Sequence, residues 1–518
     1  MYIQCFGACL QGIDGTIVDV EIDISNGLPY FQIVGLPDSS VRESTERVRA
    51  AIKNCGAVFP MERITVNLAP ADIRKEGASF DLAIAVGILT ASGQLSPEKL
   101  GRCLLIGELS LDGSLRPVHG VLSMVDAAKR AGVTDVVLPA ENVEEASLIE
   151  GMRIVGIDNV KRLLEQNGAS LFNDINISCG LQHAPFLSDG VAATVEDFVD
   201  VCGQHQAKRA LTIAAAGMHN FLFVGPPGSG KTMLVRRLPS ILPPLSDEES
   251  LEVTKVYSAA GQIRNRAMLI RERPFRNPHH TISTGGLVGA GSVPKPGEVS
   301  LAHRGVLFLD EMPEFPRSVL EVLRQPIEDR RVTIGRARAV FTFPSHFMLA
   351  ATMNPCPCGY WGFSSSNASC TCSSVKVRQY RSKMSGPLLD RIDMHVEVPR
   401  IEYDAMKRTG VNVSSAELRE TVARALRRQS ERYAGSGIRF NGELTGRMLR
   451  EHCRLQPEGE KLLAGSFEAL GLSVRAHDRV LKIARTIADL DECDRIGTPH
   501  VAEALQYRCL DRNAHPDK

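Results

Sequence analysis

The segment Phe221-Leu-Phe-Val-Gly-Pro-Pro-Gly-Ser-Gly-Lys-Thr232 constrains this chain more than any other. An apolar run enters Gly225-x-x-x-x-Gly230-Lys231-Thr232, and a helix-compatible stretch follows from Met233. Glycines let successive backbone N–H groups turn inward around phosphate oxygens, and the next helix adds its positive N-terminus. That chemistry needs a strand–loop–helix unit inside an α/β sheet. Gly225, Pro226, Pro227, Gly228, Ser229 and Gly230 would form the cradle, Lys231 would neutralise β/γ charge, and Thr232 would hold Mg²⁺ through its hydroxyl. ATP and Mg²⁺ are the expected ligands.

A second apolar strand, Gly305-Val-Leu-Phe-Leu-Asp310-Glu311, ends in two carboxylates. Asp310 would bind Mg²⁺ through water, and Glu311 would polarise the attacking water. Alone, such a pair reads as a solvated strand end; downstream of a phosphate cradle it reads as catalytic. Far more chain lies between Lys231 and Asp310 than the roughly 30 residues of a strand–helix–strand unit. The surplus contains Ile263–Arg276, with arginines at 264, 266, 271, 273 and 276, and then Ser283–Gly297, rich in glycine with a Pro-Lys295-Pro turn. The second stretch reads either as a solvated loop or as a Gly-rich hairpin with Lys295 at its tip, a mobile finger for a substrate strand.

Cys356-Pro-Cys358 and Cys370-Thr-Cys372 form two pairs across a Ser-, Gly- and Asn-rich loop. Four thiolates so placed can close a tetrahedral Zn²⁺ site, although C-x-C is tighter than the usual spacing. Disulfides are not expected in a reducing compartment.

Composition narrows the class. The 518 residues suggest about three domains. Sixty Lys+Arg balance sixty Asp+Glu, so any nucleic-acid contact must come from a local patch rather than a basic coat. Aromatics at 5% argue against stacking platforms for bases. No apolar stretch approaches the roughly 20 residues of a membrane span, and no secretory signal opens the chain, so no membrane contact and a cytoplasmic location are expected. Pattern shifts divide it into residues 1–157, a linker over 158–195, an α/β block over 196–399 with the cysteine loop 356–372, a helical block over 400–512, and a tail over 513–518. Thr498 reads as the cap of the last helix, with Pro499 at its first position.

Together the cradle, Val306–Glu311, the strand ending Leu349-Ala-Ala-Thr-Met-Asn354, and Ser385-Gly-Pro-Leu-Leu-Asp-Arg391-Ile-Asp393 resemble an AAA+ ATPase of the magnesium-chelatase-like branch. Gly203-Gln204 before the helix Ala207–Gly217, Lys295-Pro-Gly-Glu-Val-Ser-Leu-Ala-His303 and Asn354-Pro-Cys-Pro-Cys-Gly359 are similar to the ComM/YifB family over nearly the whole length. The resemblance implies a hexameric ring with ATP sites between subunits. It implies a DNA translocase that drives branch migration on single-stranded or branched DNA when incoming strands recombine during natural transformation. By the same resemblance Asn354 is the sensor-1 amide, Arg391 the arginine finger and Arg475 the sensor-2 arginine. Glu328–Phe343 alternates in period two around Gly335 as a β-hairpin would. In the related helicase branch such a hairpin enters the ring channel, which assigns Arg336 and Arg338 to DNA phosphate contact. The alternative is that they keep an exposed hairpin soluble.

Lys75-Glu-Gly-Ala-Ser79, Gly107–Pro117 and Val136-Val-Leu-Pro139 resemble the Lon proteolytic domain. The fold class implied is therefore an N-terminal Lon-like α+β domain, a central AAA+ P-loop α/β domain and a C-terminal helical lid. Ser79 matches the Lon nucleophile, but the partner lysine falls on Leu122, so the hydroxyl lacks a base. Ser79 is then expected to cap a helix, and the domain to be a platform for assembly or partners. A competing reading of the whole chain is a chelatase-type motor that remodels a protein partner.

Overall fold

The structure, a computed structural model, describes residues 1–96, 102–165, 196–263, 268–291, 294–336, 339–363, 369–400, 412–508 and 510. It is a mixed α/β molecule with two main sheets. The first has seven strands, β1 (Tyr2–Gln11), β2 (Asp14–Ser25), β3 (Tyr30–Val34), β4 (Arg63–Ala69), β5 (Cys103–Leu105), β6 (Asp135–Pro139) and β7 (Arg153–Ile157), in the order β3-β4-β2-β1-β5-β6-β7. β1 and β4 run antiparallel to β2, whereas β3 is parallel to β4 and the strands from β5 onward are parallel. Helix α1 (Ser39–Asn54) starts where the Asp38 side chain accepts a hydrogen bond from the Val41 N–H at 2.7 Å. Helix α2 (Asp81–Ala91) is apolar on every side and buried throughout, as a helix enclosed by its own domain must be. Helix α3 (Val121–Arg130) packs on β2, and Val160 and Leu163 join the same N-terminal core. The described chain of this unit runs to Glu165, and residues 166–195 of the expected linker lie outside the described residues.

The second sheet carries β8 (Phe221–Val224), β9 (Phe275–Arg276), β10 (Val306–Leu309), β13 (Met348–Met353) and β14 (Met394–Glu397). Its order is β9-β10-β13-β8-β14, and every pair is parallel. The runs Phe-Leu-Phe-Val, Val-Leu-Phe-Leu and Met-Leu-Ala-Ala-Thr-Met are buried at every residue, as strands covered on both faces require. Helices α4 (His205–Gly217) and α5 (Lys231–Arg236) flank β8, and α6 (Asp247–Ala260) begins with a Ser246/Glu249 capping box. In α8 (Ser415–Arg432), α9 (Val474–Leu490) and α10 (Thr498–Gln506) the apolar face shares one core with α4 and β8. The last helix corrects the expected cap: Gly497 occupies that position, and its N–H donates to His500 Nδ1 at 3.0 Å.

Two insertions leave the second sheet. β11 (Arg331–Arg336) and β12 (Ala339–Pro344) pair from Arg331↔Pro344 to Arg336↔Ala339, preceded by helix α7 (Arg324–Asp329). Gly335 lies within β11 opposite Val340, so it is not the turn expected there; residues 337–338 lie outside the described residues. The expected Gly-rich hairpin over 283–297 is not formed by the described residues there. Instead, short helices occupy Thr284–Val288 and Glu298–Leu301, because Ser283 caps the first by accepting from the Gly286 N–H. Phe343 at the hairpin base packs with Ile13 of the β1–β2 turn, Val256 and Leu301. Lys255 Nζ donates to Asp126 at 2.5 Å, and Ser258 bonds Glu145, so α6 is fastened to the N-terminal unit.

Candidate nucleotide site

The cradle sits where β8 ends and α5 begins, at the C-terminal edge of the parallel sheet. Gly228 and Gly230 take φ of 75° and 85°, left-handed values that a side chain would resist. Lys231 Nζ donates to the carbonyls of Gly225 (2.7 Å) and Pro226 (2.9 Å) and to Asn354 Oδ1 (3.2 Å). Burial lowers its pKa to about 8. Ser229 Oγ is buried in the same loop without a partner among the described residues, as an atom facing a polar ligand would be.

Thr232 Oγ1 is 3.1 Å from both Asp310 carboxylate oxygens, which unites the hydroxyl and carboxylate expected to take Mg²⁺. A hard cation that keeps several waters suits this oxygen pair. Glu311 is exposed at the tip of β10, with a left-handed φ of 51°. For a residue with a side chain that conformation costs roughly 1–2 kcal/mol, so something must hold it. Thr352 does: its hydroxyl donates to Asp310 Oδ1 at 2.6 Å and accepts the Glu311 N–H at 3.0 Å. Thr352 is not among the residues expected from sequence, although its lone hydroxyl in an otherwise apolar strand was a visible signal. Thr352→Val keeps shape and removes both bonds. A hydrogen bond to a charged group is worth about 1.5–3 kcal/mol, so kcat should fall roughly ten- to hundredfold with nucleotide affinity nearly unchanged. Separate measurement of kcat and nucleotide Kd checks this; an unaltered kcat would remove Thr352 from the site.

Lys231, Thr232, Asp310, Glu311 and Asn354 therefore converge. Arg391 and Arg475 do not join them. Arg391 lies just before β14, and the cleft around it is lined by Asn220 and Phe347, which precede β8 and β13. Both arginines thus occupy the N-terminal edge of the parallel strands, opposite the cradle. Four-residue strands at about 3.3 Å per residue put roughly 13 Å of sheet between the two edges. Arg391 is held there by Glu328 and by the Pro387 carbonyl at 2.7 Å, and Arg475 reaches the same Glu328 at 3.2 Å. Arg391 Nε is buried without a partner among the described residues. Glu328, at the end of α7, carried no signal in sequence; only the fold brings it to both arginines.

The basic candidates separate. Of the arginine-rich insertion, Arg264 and Arg266 lie outside the described residues, whereas Arg271, Arg273 and Arg276 pair with Asp247 (2.8 Å), Glu249 (3.0 Å) and Glu298 (2.7 Å). Lys295 is exposed, on a turn that passes close to Gly289 and the Ile334 side chain of β11. Arg336 ends β11, and Arg338 lies outside the described residues.

The four cysteines come together. Cys356 Sγ is 3.3 Å from Cys358 Sγ and 3.7 Å from Cys370 Sγ, Cys358 and Cys370 are 3.5 Å apart, and all four Sγ atoms lie within 4.8 Å of one another. A Zn–S bond of about 2.3 Å in tetrahedral geometry gives an S···S edge of about 3.8 Å, so the donor set fits zinc. Backbone N–H donors, Tyr360 first, lower the Cys358 thiol to about 6.

In the N-terminal unit Ser79 Oγ is nearly buried and donates to the Ala8 carbonyl at 2.9 Å. This corrects its expected capping role: Phe80 caps α2, with no side-chain bond. Leu122, where a Lon-type base would stand, is fully buried. Among the described residues no helix is long and apolar enough to cross a membrane.

Comparison with known proteins adds three family matches: "Magnesium chelatase, subunit ChlI" over residues 197–406, "Subunit ChlI of Mg-chelatase" over 20–142, and "Magnesium chelatase, subunit ChlI C-terminal" over 412–508. The chain is 42% identical to the competence protein ComM of Haemophilus influenzae over 514 residues, covering 97% of this chain and 96% of that protein. It is 41% identical to YifB of Escherichia coli over 509 residues, with the same coverage. Lon protease 2 of Bacillus subtilis is 25% identical over 170 residues, 29% of this chain and 30% of that protein.

Proposed function

The chain belongs to the ComM/YifB family of magnesium-chelatase-like proteins, and we propose that it is an ATP-hydrolysing ring motor, a hexamer that moves on single-stranded or branched DNA and drives branch migration. In this reading the N-terminal unit is a Lon-like platform without peptidase chemistry, the central sheet is the AAA+ core and the C-terminal helices are its lid. The observation that carries it is the separation of the cradle from Arg391 and Arg475 on opposite edges of one sheet. A second copy set edge to edge would supply the missing arginines to this chain's cradle. The relative named for competence supports natural transformation as the setting, and a cytoplasmic location is part of the same reading.

The residues then divide the work. Lys231 exchanges its carbonyl partners for β- and γ-phosphate oxygens, and Ser229 and the loop amides line the same cradle. Thr232 and Asp310 hold Mg²⁺, which neutralises charge on those phosphates when bound. Thr352 keeps Asp310 and the Glu311 backbone in place while Glu311 orients and polarises the attacking water. Asn354 positions that water from the end of β13. Arg391 and Arg475 of the neighbouring copy stabilise charge as the γ-phosphoryl group leaves. Cys356, Cys358, Cys370 and Cys372 hold one structural Zn²⁺.

Arg336, Arg338 and Lys295 are the proposed contacts to DNA phosphates, which position a strand without reading bases. ATP turnover should rise when single-stranded or branched DNA is added. Arg336→Ala/Arg338→Ala should abolish that stimulation, keep basal turnover, and flatten the slope of log affinity against log salt by roughly 1.4, about 0.7 per lost single-strand phosphate contact. An unchanged slope with intact stimulation would assign the contact to Lys295 instead. ATPase activity indifferent to every DNA, but raised by a protein partner, would favour the chelatase-type remodelling motor that the ChlI matches also allow.

A further inference from the structure

The cysteine cluster is built onto the nucleotide cradle rather than beside it. β13 ends at Met353, whose carbonyl accepts the Gly225 N–H at 3.2 Å, and the next residue, Asn354, accepts from Lys231 at 3.2 Å. Pro355 and the fully buried Cys356 follow at once, with the Pro355 carbonyl held by Arg381 Nε at 3.2 Å. The chain then turns back, the Gly359 N–H donating to the Cys356 carbonyl at 3.0 Å and the Trp361 N–H to Cys356 Sγ at 3.4 Å. Gly359 has a φ of 86°, and a Cβ built on it would overlap the ring of Pro227 in the phosphate loop. The cysteine turn therefore touches the loop at Pro227 while its root carries Asn354.

We propose that the four-thiolate centre is a metal-dependent positioning element of the ATP site: a thiophilic divalent cation, Zn²⁺, clamps the 354–361 turn and thereby fixes Pro227 and Asn354 for nucleotide binding. This rests on the zinc reading above. Without the cation, four thiols crowded within 4.8 Å keep only weak hydrogen bonds to one another and to the Trp361 and Cys372 N–H groups. The 354–361 turn then moves, and the loop loses the wall against which Pro227 packs. A displacement of about 1 Å at a phosphate site is enough for large losses.

The test uses the full-length wild-type protein and one variant. Metal content is measured first, and then the Kd for a fluorescent ATP analogue is read before zinc removal, after removal under reducing conditions, and after zinc is restored. About one zinc per chain is expected, with nucleotide affinity falling about tenfold or more on removal and returning on restoration. Gly359→Ala leaves all four thiols in place and should keep its zinc, yet weaken nucleotide binding, because its Cβ presses on Pro227 and its left-handed φ of 86° is strained with a side chain. Circular dichroism at each stage reports whether the fold persists. Zinc present but removable without change in Kd, with Gly359→Ala binding normally, would overturn the coupling and leave the zinc site standing. A wild-type protein with no more zinc than Cys356→Ser/Cys370→Ser would overturn the site and the coupling together. Loss of fold on zinc removal that zinc does not reverse, with normal nucleotide binding by Gly359→Ala, would also overturn the coupling.

Discussion

Arg391→Ala should reduce ATP turnover by about 10³-fold or more, the scale on which arginine fingers act, while the same chain still binds nucleotide. The reason is positional. Arg391 stands at the sheet edge away from its own cradle, so its loss leaves Lys231, Thr232 and Asp310 untouched. Complementation makes the result sharp. Lys231→Ala chains keep Arg391, and Arg391→Ala chains keep the cradle, so mixing two inactive proteins should restore turnover at the contacts where one lends its arginine to the other. Arg475→Ala should behave as Arg391→Ala does, since both share Glu328. If every mixture stays inactive while each variant still assembles, the two edges do not meet across subunits.

Glu311→Gln should retain ATP binding and lower the rate of hydrolysis by roughly 10²–10⁴, the usual worth of a positioned proton acceptor or charge. The amide keeps the volume of the side chain, and the Thr352 hydroxyl still accepts the residue-311 backbone N–H, so the left-handed turn survives. Only the charge that polarises water is lost. Single-turnover hydrolysis with pre-bound ATP isolates this step from binding and product release. A rate within a few-fold of wild type would take Glu311 out of the chemistry and leave Asp310 as the sole carboxylate in it.

What the sequence disclosed depended on how local the determinant was. The cradle, its lysine and the carboxylate pair were legible because each is fixed by neighbours in the chain: a buried strand, a turn that needs glycine, a helix start. The cysteine pairs were legible for the same reason, but their contact with Pro227 was not, because nothing in the spacing of 356–372 says what lies across from Gly359. Glu328 became visible only when the fold brought the end of α7 to Arg391 and Arg475, whereas the Thr352 hydroxyl stood out in its apolar strand and only its two partners had to await the fold. The Gly-rich stretch 283–297 misled because glycine signals permission to turn, whereas the Ser283 hydroxyl bonding the Gly286 N–H gives a helix its start. The arginine-rich stretch shows how little a count of charges says about surface: Arg273 is charged yet almost wholly buried against Glu249.

A subunit with its cradle on one edge and its arginines on the other is a tile with a head and a tail. Two such tiles related by a two-fold axis would bring head to head or tail to tail, and neither contact mates a cradle with arginines. Only head-to-tail addition does, and such addition either closes into a ring or grows without limit. In any open row one cradle at the end stays without a donor, so closure is the step that makes every subunit equivalent. In the proposed ring the sheet's polarity would give each subunit a downstream neighbour, and a sequence of firing would have a direction before any DNA is bound.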